Sequence, residues 1–379
     1  MLFKQSRMIA LSTVFAALFS SAAHAQDEIK VGFMPPLTGT EAPESKFQTE
    51  VVNLAVKQVN ATGGIRGKKL KVVTEDNQSN PQGSLAAYEK LIDQHKVNFV
   101  IAGYKSAQLV AMLPKMEKSN VPTFIGGTFP RLTESGRWFF RCRPNDIVSA
   151  EVAIRYIKEN TNFKKIGIIH DMGAFGVGGA NLVEKQAKDH GLNVVKRAGF
   201  PIGETNFVGK LDEIKAAGAE AVIAYVANQP DGGNLILEHA RIGKPFFFLV
   251  SPSAQSKVAL NIAKEAADGM HAFVDFTFGE RAEDKKFVED FKAEYKEMPD
   301  TQASYMYDAI MMYATAARAV GTDPEKVREY IHKKLKGYKG VMGTYNFTEK
   351  GDSLNAMSVI KIDGGNRKLI KVVNLSDKK

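Results

Sequence analysis

The stretch VIAGYKSAQLVAML, Val100 to Leu113, contains a short apolar run, a polar turn and the start of an amphipathic helix. A strand followed directly by a helix is half of a βαβ unit, the repeat from which parallel sheets are built. Ser106 stands where the strand gives way to the helix. Its hydroxyl could cap the helix by accepting from a free backbone N–H. Alternatively, the hydroxyl and the free N–H groups could together hold an anion, and these residues alone leave both roles open.

The same alternation extends over much of the chain. Short runs rich in Val, Ile and Phe predict strands at IKVGFMPPL, LKVVTED, NFVIAG, PTFIGG, KKIGIIHD, NVVKRAGF, EAVIAYV, PFFFLVS and MHAFVDF. Amphipathic segments between them predict helices over residues 44–61, 81–95, 150–160, 174–190 and 235–242. This repetition predicts an α/β fold with parallel sheets covered by helices on both faces. Pro114 should kink or end its helix early.

The alternation breaks twice, which predicts two lobes. A new series of strands and helices begins after RWFFRCRPND, and three consecutive helices follow HAFVDFTFGE, near residues 283–297, 303–320 and 324–336. The chain then ends in strands near residues 341–347, 358–362 and 369–374. Because the second unit is followed by returning chain, several crossovers are expected. Sheets of this kind bind ligands beyond the carboxyl ends of their strands, here in a cleft between the lobes.

The first 25 residues have the features of a secretory signal peptide. Two basic residues, Lys4 and Arg7, precede an apolar run, and the small-residue site AHA comes before a predicted cleavage after Ala25. The remaining 354 residues are enough for two domains with full-sized cores. No later segment reaches the roughly 18 apolar residues of a membrane span. We therefore expect a soluble, exported protein located in the periplasm.

Composition and motifs argue against several classes of function. The net charge falls from +9 to +7 without Lys4 and Arg7, and the basic residues form no long run, so we expect no nucleic-acid partner. Cys142 is the only cysteine and is predicted to be a packed thiol. The sequence has no G-x-S-x-G, H-E-x-x-H, G-x-x-x-x-G-K-[ST] or C-x-x-C motif, and GAFGVGG lacks the spacing of a dinucleotide loop. We expect no enzyme activity, no cofactor and no bound metal.

Polar and small residues collect where the predicted strands end. Ser106 and Thr128 supply hydroxyls at neighbouring strand ends, and Gly126 and Gly127 let a ligand approach the backbone closely. This pairing suits a carboxylate better than a phosphate, for which a Lys-bearing glycine loop is expected. The residues therefore favour a carboxylate site in the cleft.

An ordered series of segments resembles a known family. Together with the signal peptide and along essentially the whole mature chain, the following segments are similar to the branched-chain amino-acid (Leu/Ile/Val) binding proteins of ABC transporters: IKVGFMPPLTG, NATGGIRGKKLKVVTEDNQSNPQGSLAAYEKLI, FVIAGYKSAQ, KIGIIHDMGAFGVG, NFVGKLDEIKAAGAEAVIAYV, YMYDAI and VMGTYNFTEKGD. The resemblance implies a type I periplasmic-binding fold, in which two Rossmann-like lobes with parallel sheets are joined by three crossovers and close over the ligand. The crossovers should fall near residues 142–145, 274–276 and 345–355. The implied N-terminal lobe comprises residues 26–143 and 277–346, and the implied C-terminal lobe comprises residues 144–276 and 347–379.

The resemblance also implies a set of ligand-binding residues. The family's carboxylate site falls on Ser106, on the backbone around Gly126 and on Thr128, which favours an anion as the partner of the Ser106 hydroxyl. The aromatic residue that covers the ligand falls on Phe175. The full implied set is Tyr104, Ser106, Gly126, Gly127, Thr128, Phe175, Tyr225 and Ser253. For Phe175 and Tyr225, the alternative is ordinary core packing.

One departure from the family concerns the charge of the ligand. Members that bind α-amino acids place an acidic residue after the strand FFFLVSPSAQ, where it meets the ligand's ammonium, whereas this chain has Pro252 and Ser253 there. A buried ammonium without a counterion is costly, so either another acid substitutes or the ligand has no ammonium. Glu41, Glu44 and Asp231, in loops at the edge of the cleft, are the candidate substitutes, although residues in such places are more often plain solvated loop residues. Aromatic cleft residues such as Phe129, Phe175 and Phe276 would suit a hydrophobic or aromatic acid.

The expected function is that of a solute-binding component of an ABC transporter, a monomer whose partners are a small carboxylate or amino-acid ligand and the membrane permease complex. A ligand-sensing protein that reports to a receptor or kinase, or a binder of amides or urea, is the alternative. The core of a sugar-responsive transcription regulator shares such a fold, but it would need a helix-turn-helix head where this chain has a signal peptide.

Overall fold

The computed structural model describes residues 28–134, 136–353 and 356–373. The predicted signal peptide and its cleavage site lie outside these residues. Within them, the chain forms two α/β units, each built around its own sheet.

The first sheet contains five parallel strands in the order β2-β1-β3-β4-β5. Their bounds are β1 Ile29–Phe33, β2 Leu70–Thr74, β3 Phe99–Ile101, β4 Thr123–Ile125 and β5 Phe139–Arg141. The three central strands consist wholly or almost wholly of buried residues, as expected for a parallel sheet covered on both faces.

The second sheet contains seven strands in the order β14-β13-β10-β9-β8-β6-β7. Their bounds are β6 Lys165–Asp171, β7 Asn193–Phe200, β8 Ala221–Tyr225, β9 Phe247–Val250, β10 His271–Val274, β13 Met357–Asp363 and β14 Asn366–Val373. Strands β6 to β10 pair with one another in parallel, whereas β13 and β14 add an antiparallel edge beside β10. A further two-stranded ribbon joins β11 Tyr338–Lys339 to β12 Thr344–Tyr345.

Helices connect the strands and cover the sheets. They are α1 Ala42–Ala61, α2 Pro81–Glu89, α3 Ser106–Lys118, α4 Asp146–Asn160, α5 Ala174–Asp189, α6 Val208–Ala216, α7 Gln229–Arg241, α8 Lys257–Ala263, α9 Ala282–Tyr295, α10 Tyr305–Val320 and α11 Pro324–Lys334. Helix α10 packs on the first sheet although it follows the second in sequence: the ring of its Tyr313 stacks on Phe99 with centroids 3.7 Å apart.

The chain passes between the two sheets three times, as the family resemblance implies. It leaves the first sheet after β5, leaves the second after β10, and returns to the second at β13. The expected fold of two α/β lobes with parallel sheets and three crossovers is therefore confirmed. Cys142, at the first crossover, is buried and free, as expected for a packed thiol.

Several local expectations need correction. Strand β5 and helices α6 and α8 were not among the predicted elements, because each is short and its pattern is weak. Pro114 does not end its helix, which continues to Lys118. Because proline has no N–H, the carbonyl four residues before it loses its hydrogen-bond partner. Pro114 is exposed, so this carbonyl is on the side of the helix that water can reach. Only Thr344–Tyr345 of the predicted strand near residues 341–347 is extended.

Two helices begin earlier than their patterns suggested, and both changes affect the cleft. Helix α4 begins at Asp146 because the side chain of Asn145 accepts from the N–H groups of Ile147 and Val148. Helix α7 begins at Gln229, with a proline in its first turn. Residues 146–149 and 229–234, which the sequence pattern left outside the predicted helices, are therefore the beginnings of α4 and α7.

Candidate functional site

A small pocket lies between the two sheets, at the carboxyl ends of their strands. Its lining residues come from both sides of the cleft: Tyr104, Lys105, Thr128, Arg143, Phe175, Ala227, Ser253 and Gln302. The cavity volume is about 10 Å³, so the two sides are nearly in contact. A larger cavity of about 360 Å³ lies at the crossovers, beside Phe276 and Arg281, but none of the implied ligand-binding residues lines it.

Ser106 is the first residue of α3, and it does not cap the helix. The N-cap position is Lys105, which makes no side-chain capping bond. The Ser106 hydroxyl instead accepts a hydrogen bond of 3.2 Å from the N–H of Phe129, next to Thr128 in the neighbouring strand-end loop. The capping role considered from the sequence is therefore excluded. The hydroxyl is buried and ties the two loops together.

Gly126 and Gly127 are required by the protein's own packing. A Cβ at Gly126 would lie 2.5 Å from the ring of Tyr305, and one at Gly127 would lie 2.4 Å from Leu109. Their carbonyls accept from arginines: Gly126 from Arg143 at 2.9 Å and Gly127 from Arg141 at 2.8 Å. Thr128 follows directly and lines the pocket. The two glycines thus shape the loop that carries Thr128.

Tyr104 and Lys105 form the most tightly connected part of the pocket. The Lys105 ammonium donates to the Glu44 carboxylate at 2.7 Å and, across the cleft, to the carbonyl oxygen of Ala227 at 2.8 Å. The Tyr104 hydroxyl donates to the other oxygen of Glu44 and accepts from Gln229 at 2.9 Å. Burial raises the pKa of Glu44 to about 7, and the charge of Lys105 opposes that rise. Burial also lowers the pKa of Lys105, but the charges of Glu44 and Glu41 outweigh it and raise the pKa above its ordinary value.

Arg143 supplies the second cation of the pocket. It follows β5 and pairs with Asp275, next to β10, with 2.5 Å between Arg143 Nε and Asp275 Oδ2. Both side chains are almost completely buried. The guanidinium also lies 5.9 Å from the centroid of the Tyr104 ring. The pair joins two crossover segments, so it fixes the cation at the place where the two sheets meet.

The opposite side of the pocket is uncharged. Phe175, in the first turn of α5, lines the pocket and packs against Tyr225, with ring centroids 5.2 Å apart. Tyr225 itself is completely buried, and its hydroxyl lies 3.0 Å from that of Ser149. Phe175 thus faces the pocket. Tyr225 is part of the core, so the alternative of ordinary core packing applies to Tyr225.

Ser253 closes the pocket through a chain of side-chain hydrogen bonds. It lies in the short 3-10 turn Pro252–Gln255 after β9 and accepts from Gln302 Nε2 at 3.1 Å. Gln302 Oε1 accepts from Gln229 at 2.9 Å, and Gln229 donates to Tyr104 as well. These amides connect the two sides of the cleft without any charge.

The three acids expected in exposed loops are buried at the ends of helices instead. Glu41 precedes α1 and accepts from Gln108 at 2.8 Å, and Glu44 lies in the first turn of α1. Asp231 lies in the first turn of α7 and accepts from the N–H of Gly203 at 2.9 Å. None of the three is among the described residues that line the pocket. The interpretation as solvated loop residues is wrong, because packing buries all three side chains, and for Asp231 also because α7 begins earlier than predicted.

Asp146 lies beneath Thr128 and is completely buried. Its N–H donates to the Thr128 carbonyl at 2.9 Å, but Oδ2 has no hydrogen-bond partner among the described residues. Burial raises its pKa from 3.8 to about 7, against the opposing effects of the Thr128 hydroxyl and the nearby arginines. The loop with Thr128 therefore rests on a carboxyl group that burial favours in its neutral form.

Two other possible features are not found in the part of the chain that the structure covers. Between residues 28 and 373, leaving aside the three positions that are not described, no group of three or more His, Cys, Asp or Glu residues is arranged to hold a metal ion. In the same part of the chain, every helix is too short or too polar to cross a membrane.

The structure brings together four of the implied residues in the pocket lining: Tyr104, Thr128, Phe175 and Ser253. Ser106, Gly126, Gly127 and Tyr225 lie immediately behind them. Lys105, Arg143 and Gln302 were missed. Lys105 stands next to Ser106 in the strand-end loop, and recognition of β5 would have placed Arg143 at another strand end. No local signal marks Gln302, which precedes α10 in a loop far from either sheet in sequence.

Comparison with known proteins relates this architecture to a family. The family model described as periplasmic binding protein matches residues 28–366. A leucine-, isoleucine-, valine-, threonine- and alanine-binding protein of Pseudomonas aeruginosa is 28% identical over 352 residues, which cover 91% of this chain and 93% of the relative.

Solved structures show the same fold. A leucine binding protein from Thermotoga maritima has a TM-score of 0.86 at 23% identity, covering 92% of this chain and 99% of its own. A solute binding protein of an ABC transporter from R. palustris, solved in complex with benzoate, has a TM-score of 0.83 at 21% identity, covering 91% of this chain and 96% of its own.

Proposed function

The chain belongs to the periplasmic binding protein family, and we propose that it is the solute-binding component of an ABC transporter of the branched-chain amino-acid type. Its ligand is a small hydrophobic carboxylate or amino acid that is held between two lobes. The family match along most of the chain supports this role, as do the amino-acid specificity of the Pseudomonas relative and the transporter role of the R. palustris protein.

The composition of the pocket is the observation that carries the proposal. It presents two cations, Lys105 and Arg143, a hydroxyl on Thr128 and an aromatic ring on Phe175. Of the eight described lining residues, none is acidic. A carboxylate is attracted by the two cations and can accept from the hydroxyl, while an apolar body can contact the ring. Ser106, just behind Thr128, can donate its hydroxyl hydrogen to the same carboxylate.

Within this class, we favour a carboxylate without an ammonium group over a free α-amino acid. The position at which family members carry an acid is occupied by Ser253, and Glu41, Glu44 and Asp231 already have partners in the protein. The benzoate complex of the R. palustris protein gives one precedent for such a ligand in this fold.

A thermal-shift screen tests the ligand class. It compares leucine, isoleucine, valine and phenylalanine with their 2-oxo and deaminated counterparts, with benzoate-type acids, and with neutral amides and urea. A ligand at about 100 times its Kd adds about 2.7 kcal/mol of stability, so the true class is easily detected. We expect shifts from the acids. Shifts confined to the amino acids contradict the preference, and shifts from amides or urea alone contradict the carboxylate site.

We propose that binding requires hinge motion between an N-terminal lobe of residues 26–143 and 277–346 and a C-terminal lobe of residues 144–276 and 347–379. A volume of about 10 Å³ holds no organic acid, so the two sides must separate to admit one. Small-angle scattering is expected to show compaction when the ligand identified by the screen is added. An unchanged profile at saturation would count against the hinge.

The proposed setting is the periplasm, after removal of the signal peptide at Ala25, with a membrane permease complex as the partner of a monomeric binding protein. Deletion of the gene should abolish uptake of the radiolabelled ligand, and the purified protein should elute as a monomer with and without ligand. Normal uptake combined with loss of a transcriptional response to the ligand would instead indicate a sensor that reports to a receptor or kinase.

A further inference from the structure

We propose that Lys105 occupies the place of an amino-acid ligand's ammonium group and thereby excludes free α-amino acids from the pocket. This inference rests on the proposed function, since it explains which carboxylates the same pocket accepts. It assigns to Lys105 the role of a specificity-determining residue.

The first argument is the set of groups around the Lys105 ammonium. Glu44 Oε1 lies 2.7 Å from Nζ on one side of the cleft, and the Ala227 carbonyl oxygen lies 2.8 Å from it on the other. The face of the Tyr104 ring is 5.0 Å away. A carboxylate, a carbonyl oxygen and an aromatic face are the groups that hold a desolvated ammonium ion. The protein has therefore built an ammonium site and filled it with its own side chain.

The second argument is that the described pocket lining offers no unpaired carboxylate to another ammonium. The second oxygen of Glu44 accepts from the Tyr104 hydroxyl, and Glu41 accepts from Gln108. Among the described residues that line the pocket, the other charged group is Arg143, a further cation. An incoming α-ammonium would meet two like charges and no free carboxylate among the described lining residues, which is unfavourable in a buried site.

The third argument is the position of Lys105 between the two sides. Its side chain is 8% exposed, and its hydrogen bonds reach one acceptor on each side of the cleft. The ammonium of a bound amino acid would have to replace these contacts. An acid without an ammonium group needs only the contact to Ala227 to open with the cleft. It leaves the pair with Glu44 intact and gains the attraction of Lys105 and Arg143.

The test is to remove the Lys105 charge and to measure the affinity for leucine. Wild type and Lys105→Met are titrated by calorimetry with leucine and with its deaminated counterpart, 4-methylpentanoate. Lys105→Met should bind leucine at least about tenfold more tightly than wild type does, because Glu44 becomes free to pair with the ligand's ammonium. The double variant Lys105→Met/Glu44→Gln should lose this gain. Lys115→Met, which removes the partly exposed ion pair of Lys115 and Asp93 near the end of α3, is the matched control and should bind like wild type.

Lys105→Met leaves Glu44 buried without its cation and can therefore destabilise the fold, so a second variant is included. Lys105→Gln keeps a hydrogen-bond donor near Glu44 without the charge, and circular dichroism reports which variants are folded. A leucine gain in either folded variant supports the proposal. If wild type binds leucine as tightly as it binds 4-methylpentanoate, the proposal is overturned. It is also overturned if the folded variants still bind the acid but bind leucine no more tightly than wild type does. If wild type binds neither compound class, the proposed function fails together with the inference.

Discussion

The two sides of the pocket are built from different chemistry. The side that belongs to the five-stranded sheet contributes Lys105 and Arg143, and behind each cation stands a buried acid, Glu44 or Asp275. The side that belongs to the seven-stranded sheet contributes a ring, a backbone carbonyl and the small hydroxyl of Ser253. The difference indicates that the first side orients an anionic ligand and that the second side covers it.

The second side has a buried acid as well, but it is used differently. Asp171, at the end of β6, accepts from the N–H groups of Gly173 and Ala227, each at 2.8 Å. Glu44 and Asp275 position the cations of the first side, whereas Asp171 positions two strand-end loops. As a result, the second side presents hydrogen-bonded backbone and no charge to the described pocket lining.

The largest expected effect is the loss of the Arg143 charge. Arg143→Met leaves Asp275 buried without its partner and should lower the free energy of unfolding by about 3 to 5 kcal/mol, measured by urea denaturation. Arg143→Met/Asp275→Asn should recover most of that loss. Lys185→Met, which removes an exposed pair on the other side of the cleft, should change stability little. If Arg143→Met leaves the free energy of unfolding unchanged, the pair does not anchor the two crossover segments.

A smaller loss is expected from the hydroxyls of the first side. Ser106→Ala and Thr128→Val should each weaken binding of the acid identified by the screen by about 1.5 to 3 kcal/mol, or roughly 10- to 150-fold. Calorimetry measures the affinities, and circular dichroism confirms folding. Two folded variants that bind like wild type would place the carboxylate elsewhere in the cleft.

The acid beneath Thr128 should make stability depend on pH. Because burial raises the pKa of Asp146 to about 7, the folded protein holds this proton more tightly than the unfolded chain does. The free energy of unfolding should therefore fall as pH rises from about 4 to 7. Asp146→Asn should remove this contribution and be more stable than wild type by about 1 to 2 kcal/mol at pH 8, with little difference at pH 4. Urea midpoints at both pH values test this, and equal midpoints at pH 8 would contradict it.

The smallest effect is expected on the second side. Ser253→Ala removes the acceptor of one Gln302 hydrogen bond and should weaken ligand binding by about 0.5 to 1.5 kcal/mol, roughly tenfold at most. The measurement belongs in the same calorimetric series as Thr128→Val. If Ser253→Ala costs more than Thr128→Val, the assignment of the orienting side is reversed.

Much of the site could be predicted from the sequence because strand ends are local features. The end of β3 and the turn after β4 follow apolar runs, and this pattern led to Ser106 and Thr128, whereas Tyr104 came from the family resemblance. The pattern failed where an element was short or where a helix began among turn-forming residues. Without β5, Arg143 had no assigned place, and without the early start of α7, Asp231 was interpreted as part of a loop.

The sequence by itself determined the α/β architecture, since hydrophobic periodicity depends on neighbours a few residues apart. Only the tertiary structure decided the charge of the pocket. Lys105 is one of 51 Lys and Arg residues, and its place in a strand-end loop does not by itself show what its ammonium contacts. Its partners Glu44 and Ala227 are 61 and 122 positions away, so its role exists only after two sheets have brought both acceptors to a single ammonium. Burial then gives that contact its strength, because removal of water makes each unmatched charge costly.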